Sequence, residues 1–314
     1  MESANIEIDL VYLWVDGSDP KWQEKKQIFT KVLDNTSETD AAGRYKDNDE
    51  LKYSLRSVEK HVPWIRNIFI VTDNQKPDWL NTNHPKVRVI DHTEIIPTEV
   101  LPLFNAIAIE YFLYRIPGLS EHFLYANDDM FFNANLLPDF FFAEDGNPIV
   151  CLKKRNLGKW YHRFMAFIRD DGHYRRTVIN SMSLVEKKYG KFYSGLPHHN
   201  IDAYRKSDYQ NAVEQVFKDE VKKSQYHRIR TDGDFHRSAI GYYSLAVGHG
   251  HLRYVNKKIA ERIQLYRLRF RERLDRNKPL FFCLNDNEKA TDEHRKLVQP
   301  FLESVFSEKS AFEK

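Results

Sequence analysis

Short apolar runs, each the length of a strand and set apart by stretches with helical spacing, constrain this chain more than any other feature. Ile8–Val15 (IDLVYLWV), Asn67–Thr72 (NIFIVT), Val87–Ile90 (VRVI) and Phe123–Ala126 (FLYA) are rich in β-branched and aromatic residues, as strands buried on both faces are. Between them, Lys21–Leu33 and Glu50–His61 read as helices, the second with Leu51, Leu55 and Val58 on one face, and Phe104–Leu113 reads as a third. The polar segment from Asp34 to Asp47 reads as a mobile loop. Alternation at this spacing predicts an α/β protein with a mostly parallel sheet flanked by helices.

The second half is less regular and more helical. Val178–Tyr189 and Tyr209–Lys223 have helical character, and Leu280–Leu284 (LFFCL) is a last strand. From Arg253 to Arg276, the residues Ile259, Ile263, Tyr266, Phe270 and Leu274 fall at helix spacing with arginines around the rest. Such a helix either packs on the core with its arginines in solvent or facing phosphates, the favoured reading, or lies on an anionic membrane surface. A boundary near 145–155 is suggested by Asp145-Gly146-Asn147-Pro148 and by a switch of charge. Residues 1–150 carry 14 basic and 25 acidic side chains, and residues 151–314 carry 34 and 20. The expected arrangement is an acidic α/β half, 1–150, and a basic, more helical half, 151–314, joined in one domain.

Composition excludes several classes. With 41% hydrophobic and 14% aromatic residues in 314, the chain can bury a substantial core. Two cysteines support neither a disulfide framework nor a four-cysteine zinc site. The start lacks the pattern of a signal peptide and no run is long enough to span a bilayer, so the expected location is cytoplasmic. A net charge of +3, split into opposite fields, does not read as a nucleic-acid binder. There is no G-x-G-x-x-G, Walker loop or G-x-S-x-G elbow.

Three clusters of acids and amides follow apolar runs: Asp16-Gly17-Ser18-Asp19, Asn127-Asp128-Asp129 and Asn285-Asp286-Asn287. In parallel α/β sheets, residues beyond the carboxyl ends of strands line one crevice. Hard oxygen donors beside a diphosphate suit Mg²⁺ or Mn²⁺. Any one cluster could equally terminate a strand or cap a helix. The basic half offers partners for phosphate in Pro197-His198-His199-Asn200-Ile201-Asp202 and in His227-Arg228-Ile229-Arg230, where an extended backbone would put Arg228 and Arg230 on one side. Zinc held by His198, His199, His227, His249 and His251 lacks an HExxH or cysteine pairing to support it.

Longer motifs then resemble a known family. IDLVYLWVDGSDPKW, RYKDNDELKYSLRSVEKHVPWIRNIFIVTDNQKPDWL and LPLFNAIAIEYFLYRIPGLSEHFLYANDDMFF are similar to the first two conserved blocks of the Stealth family, the hexose-1-phosphate transferases. PHHNIDAYRKS with YHRIRTDGDF resembles the third block and FFCLNDNEK the fourth. The family includes bacterial capsular and exopolysaccharide phosphotransferases and the catalytic subunit of the animal N-acetylglucosamine-1-phosphotransferase. The short chain fits the bacterial members. It departs from the family at Asp16, where an amide is common.

The resemblance implies a Rossmann-like, GT-A-like sheet and a reaction that composition cannot show. A sugar-1-phosphate passes from a UDP-sugar to a sugar hydroxyl of a polysaccharide or lipid-linked oligosaccharide, forming a phosphodiester and releasing UMP, with peripheral membrane contact possible. On that footing Asp128 and Asp129 are expected to bind metal or activate the acceptor, and Asn285 and Asp286 to complete the metal and diphosphate site. His198 is the expected acid/base and Arg230 the expected phosphate ligand, with His227 and Arg228 beside it. Trp14, Asp16, Gly17 and Asp19 are expected to line the nucleotide pocket, although Trp14 equally suits a core. Arg44, Asp47, Glu50, Arg56 and Ser57 resemble the second block, and Arg56 is counted among the substrate-binding residues. The alternatives are a metal-dependent glycosyltransferase releasing UDP and a carbohydrate-binding module using the 17 Tyr, 21 Phe and 5 Trp.

Overall fold

The computed structural model describes residues 6–30, 45–155, 160, 172–199, 201–267, 269–287 and 289–314. Its central sheet contains β1 (Ile8–Leu13), β2 (Ile68–Thr72), β3 (Val87–Asp91), β4 (His122–Asn127) and β8 (Asp202–Arg205) in the order β3-β2-β1-β4-β8. The first four strands are parallel and β8 is antiparallel to β4. All five residues of β2 are buried, which is why it reads as an unbroken apolar run. The expected mostly parallel, Rossmann-like sheet is present.

The order of the strands places a crevice. The chain builds outward from β1 through β2 to β3, then returns to lay β4 on the other side of β1. Connections diverge at β1 and β4, so their carboxyl ends flank an opening at the switch point.

Two smaller sheets complete the fold: β10 (Ala260–Gln264), β11 (Phe281–Asn285) and β5 (Met130–Phe132); and β7 (Leu196–Pro197), β6 (Ile149–Lys153) and β9 (His251–Val255). The central sheet and the sheet of β10, β11 and β5 take strands from both sides of the charge switch, and β6 of the third sheet lies across it. Apolar side chains of the central sheet pack in alternation. Val11, Phe69 and Tyr125 join one core with the helices Gly172–Tyr189 and Ser238–Val247. Leu10, Tyr12 and Leu124 join another with Leu51, Leu55 and Val58 of Glu50–His61. That helix begins and ends where its spacing predicts.

The segment 253–276 corrects the sequence reading. It is not one amphipathic helix but the end of β9, a turn, β10, a short turn of helix and the helix Phe270–Asn277. The even separation of Ile259 and Ile263 fits a strand as well as a helix, and tertiary pairing decides between them. A turn at 257–259, preceded by Asn256 whose Oδ1 accepts from Lys258 N–H at 2.9 Å, breaks the run. β10 then pairs in parallel with β11. With the long helix goes the feature that argued for a membrane surface. Lys21–Leu33 is observed as Pro20–Thr30, its last residues lying outside those described, and most of the expected Asp34–Asp47 loop lies outside them too. Tyr209–Lys223 is helical but interrupted by a wider π turn at Ala212–Val216.

Candidate active site

Asp128 and Asp129 form the two-residue link between β4 of the central sheet and β5 of the second sheet. Register explains the rest of the gathering. Because β8 is antiparallel, its first residue Asp202 pairs with Tyr125 near the carboxyl end of β4, so His198 and His199 arrive beside the acid pair. β11 runs against β5 with Cys283 opposite Met130, and Leu284 N–H donates to Asp129 O at 3.0 Å. Asn285, two residues after Cys283, lies on the same face of β11.

The acid pair is electrostatically crowded. Desolvation, then the neighbouring charges of Asp129, Glu50 and Asp47, push the Asp128 carboxyl well above its ordinary range. Burial drives the same effect in Glu50, raised to about 8, and in Asp47, raised to about 6. Asp129 N–H donates to Asp128 Oδ1 at 3.1 Å. Asp129 Oδ2 accepts from the Cys283 thiol at 3.0 Å and lies 3.6 Å from His199 Nε2, while Asp129 Oδ1 is buried without a hydrogen-bond partner among the described residues. Asp129, His199 and Cys283 could together hold a metal ion. Orphaned oxygen and crowded carboxylates are what a bound cation would relieve.

The remaining expected residues divide. Trp14 is 6% exposed and donates its indole N–H to Asp47 Oδ2 at 3.1 Å, so it is both core and site wall. Trp14, Asn127, Asp128 and Arg230 line a cavity of about 150 Å³ at the switch point. Asp16 Oδ1 accepts from Ser18 N–H at 2.8 Å, and Gln75 donates to Asp16 O and to Asp19 Oδ2, so these acids hold the turn after β1. Gly17 is required there: a Cβ would stand 2.2 Å from Tyr45 O, and Gly17 N–H donates to that oxygen at 2.8 Å. The turn thereby fixes Tyr45, which lines the same cavity.

His198 is half-buried, and burial, with Lys153, His199 and Arg262 nearby, lowers it to about 4; its Nδ1 is buried without a partner among the described residues. His227 Nδ1–H donates to Asp234 Oδ1 at 2.5 Å, and Asp234 Oδ2 accepts from Thr231 N–H at 2.9 Å and from Asn105 Nδ2 at 2.9 Å. This network shapes the loop that carries Arg230. The expected alternation does not hold, because 227–230 is not extended as a strand: Arg228 lies over the Phe29 ring at 5.2 Å while Arg230 enters the cavity.

Two expected residues are engaged elsewhere. Both oxygens of Asp286 accept from Arg295, at 2.6 and 3.0 Å. Arg56 is buried in ion pairs with Glu313 and Glu303 and donates to Phe306 O, so the structure does not bring it to the cavity. Ser57 bonds Ser54 O and Phe132 N–H within the fold, and Arg44 lies outside the described residues. His249 and His251 pair with Asp208 and Asp145, apart from His199.

Sequence reasoning missed several contributors. Arg237 is buried between Glu110 at 3.0 Å and Asp202 at 3.1 Å, and Tyr125 donates to Glu110 Oε1 at 2.9 Å. No motif announces a buried charge whose partners are 127 and 35 residues away. Arg262 was hidden in the supposed helix. As a strand residue it pairs with Cys283, which puts an exposed cation on the face carrying Asp129 and His198.

Comparison with known proteins now decides the family. Models of Stealth protein conserved regions 1, 2 and 4 match residues 7–31, 44–150 and 272–314. Capsular polysaccharide phosphotransferase fcs1 from Haemophilus influenzae is 34% identical over 96% of this chain and 84% of its own length. Exopolysaccharide phosphotransferase cps2G from Lactiplantibacillus plantarum is 32% identical over 99% and 98%. The chain belongs to the Stealth family. This Stealth protein is an enzyme, a phosphotransferase. Among solved structures, that of the galactosyltransferase LgtC with donor and acceptor sugar analogues aligns over 95% of each chain with a TM-score of 0.45 and 12% identity. No described helix of the Stealth chain is long and apolar enough to cross a membrane.

Proposed function

We propose that this enzyme transfers a sugar-1-phosphate from a UDP-sugar to a hydroxyl of a capsular or other cell-surface polysaccharide, forming a phosphodiester and releasing UMP. The observation that carries this reading is the acid pair Asp128–Asp129 at the switch point, with Arg230 in the cavity on one side and His198, His199 and Arg262 on the other. Phosphoryl transfer needs little more of a protein than positioning and charge stabilisation, and these groups supply both.

Asp128, Asp129 and Asn285 would offer oxygen donors to a divalent cation such as Mg²⁺ or Mn²⁺, which when bound would neutralise diphosphate oxygens. Asp286 joins that set only by giving up Arg295. The His199 and Cys283 donors beside Asp129 would favour a softer ion over Mg²⁺. Arg230 holds the diphosphate from the cavity side through paired N–H donors. His198, neutral at pH 7, is the candidate base for the acceptor hydroxyl proton. The acceptor oxygen bonds to the β-phosphorus as the bond from that phosphorus to the bridging oxygen breaks, and UMP leaves with the electron pair. The anomeric carbon keeps its bonds, so its configuration is retained.

Incubating the protein and an acceptor polysaccharide with a panel of UDP-sugars, with and without Mg²⁺ or Mn²⁺, and identifying the released nucleotide tests the reading. UMP is the expected product. UDP would instead establish glycosyl transfer.

A further inference from the structure

The cavity at the switch point extends past Trp14 to the ends of β2 and β3, where two polar side chains have no part in the phosphate chemistry above. Asp73 follows β2, and its side chain is 9% exposed. Its Oδ1 accepts from Lys25 Nζ at 2.6 Å, while Oδ2 is buried and has no hydrogen-bond partner among the described residues. His92 follows β3 and is 6% exposed, and its Nδ1 is likewise buried without a partner. Both line the same cavity of about 150 Å³, whose wall also includes Asp128 and Arg230. Buried polar atoms in folded proteins nearly always have partners. Two orphans in one wall point to a ligand that supplies them.

The surroundings narrow its chemistry. Burial lowers His92 to about 4, so at neutral pH its ring has one N–H to donate and one nitrogen to accept. Trp22, Tyr45 and Phe104 line the cavity as well, with ring centroids 5.1 Å apart for Trp22–Tyr45 and 5.5 Å for Trp22–Phe104. Aromatic walls with a few convergent polar groups suit a flat heterocycle. The missing partner of a carboxylate oxygen is a donor, and that of an imidazole N–H is an acceptor.

We propose that Asp73 and His92 are the base-selecting residues of the donor site and that they recognise a uracil-type pyrimidine. The assignment rests on the nucleotide-sugar reading above. Uracil presents a ring N–H between two carbonyl oxygens: Asp73 Oδ2 accepts from N3–H, and the His92 ring N–H donates to a flanking carbonyl. Cytosine presents a lone pair at N3, which would face the Asp73 carboxylate. Discrimination of this kind is strong because a wrong base leaves buried polar groups unpaired. The phosphates then run from the base towards Arg230 and the acid pair.

Calorimetric titration of UMP and of CMP, in buffer containing Mg²⁺, tests the assignment on the wild type and on Asp73→Asn, His92→Leu and Lys25→Met, each checked by thermal melting. The wild type is expected to bind UMP about tenfold or more tighter than CMP, and Asp73→Asn to lose about tenfold in UMP affinity together with the preference. His92→Leu should weaken UMP by a similar factor. Lys25→Met, which removes only the ion pair at Oδ1, should keep the preference for UMP. An unchanged UMP-to-CMP ratio in a normally melting Asp73→Asn protein would overturn the base assignment and leave the donor reading intact. So would a Lys25→Met protein that loses the preference as fully as Asp73→Asn does. A wild type that binds neither nucleotide would instead remove the uridine donor itself.

Discussion

Asp128 is held among like charges, and that strain has two opposite consequences. Removing its charge relieves the repulsion from Asp129, Glu50 and Asp47 but takes away a group that the proposed reaction needs. Asp128→Asn is therefore expected to lower turnover by roughly a thousandfold while raising Tm by a few degrees. Initial rates and thermal melts on the same preparation check both halves, and a variant with near-normal turnover would remove Asp128 from the site. The proposed role of His198 is different: burial lowers it to about 4, which keeps the ring neutral at pH 7, the form a general base needs, at the cost of a weaker affinity for the proton. His198→Ala should cost about 10²–10⁴ in kcat with the fold intact; an unchanged kcat would pass the role to another base. Neither residue stood out by type alone. What distinguishes them is the company that two sheets bring to one link.

The loop carrying Arg230 is the element most open to a pH test. Its hydrogen bond to Asp234 raises His227 above its ordinary value of 6.5. A raised histidine gives stability that is complete below about 6.5 and is lost as pH climbs through the folded value. Wild-type Tm should accordingly fall on the alkaline side of 6.5, and His227→Gln should flatten that slope. Equal slopes would show that the pair does not hold the loop. Arg237 makes a parallel case between β8 and the helix Ala106–Glu110. Arg237→Met leaves buried Glu110 and half-buried Asp202 without their cation and is expected to cost about 3–5 kcal/mol in denaturant unfolding. At this scale the helix Glu50–His61 and the strands β1, β2 and β4 were legible from spacing, because their buried faces are continuous in sequence. The segment 253–276 was not, since residues four apart satisfy both periods and only the partner strand β11 chooses.

Across the whole molecule, the C-terminal residues strap the fold together. Arg56 joins Glu313 and Glu303, and the backbone of Glu313 pairs with that of buried Leu80 in an isolated antiparallel bridge. Arg56→Ala strands the Glu313 carboxylate, whose side chain is 2% exposed, and should destabilise by about 3–5 kcal/mol. Folded Arg56→Ala protein should keep its Km for the donor, and a raised Km would return Arg56 to substrate binding.

The sequence by itself determined the parallel sheet, the positions of its strands and the acids that end them, because burial on both faces writes apolar runs and strand ends write turns. It also carried the family, through long motifs. Only the tertiary structure decided which acids meet. Antiparallel entry of β8 brings His199 to Asp129, pairing of β11 with β5 adds Cys283 and Asn285, and a bidentate Arg295 takes Asp286. Strand ends are local events, whereas the partners of a charge depend on register between segments a hundred or more residues apart, and no local pattern encodes that.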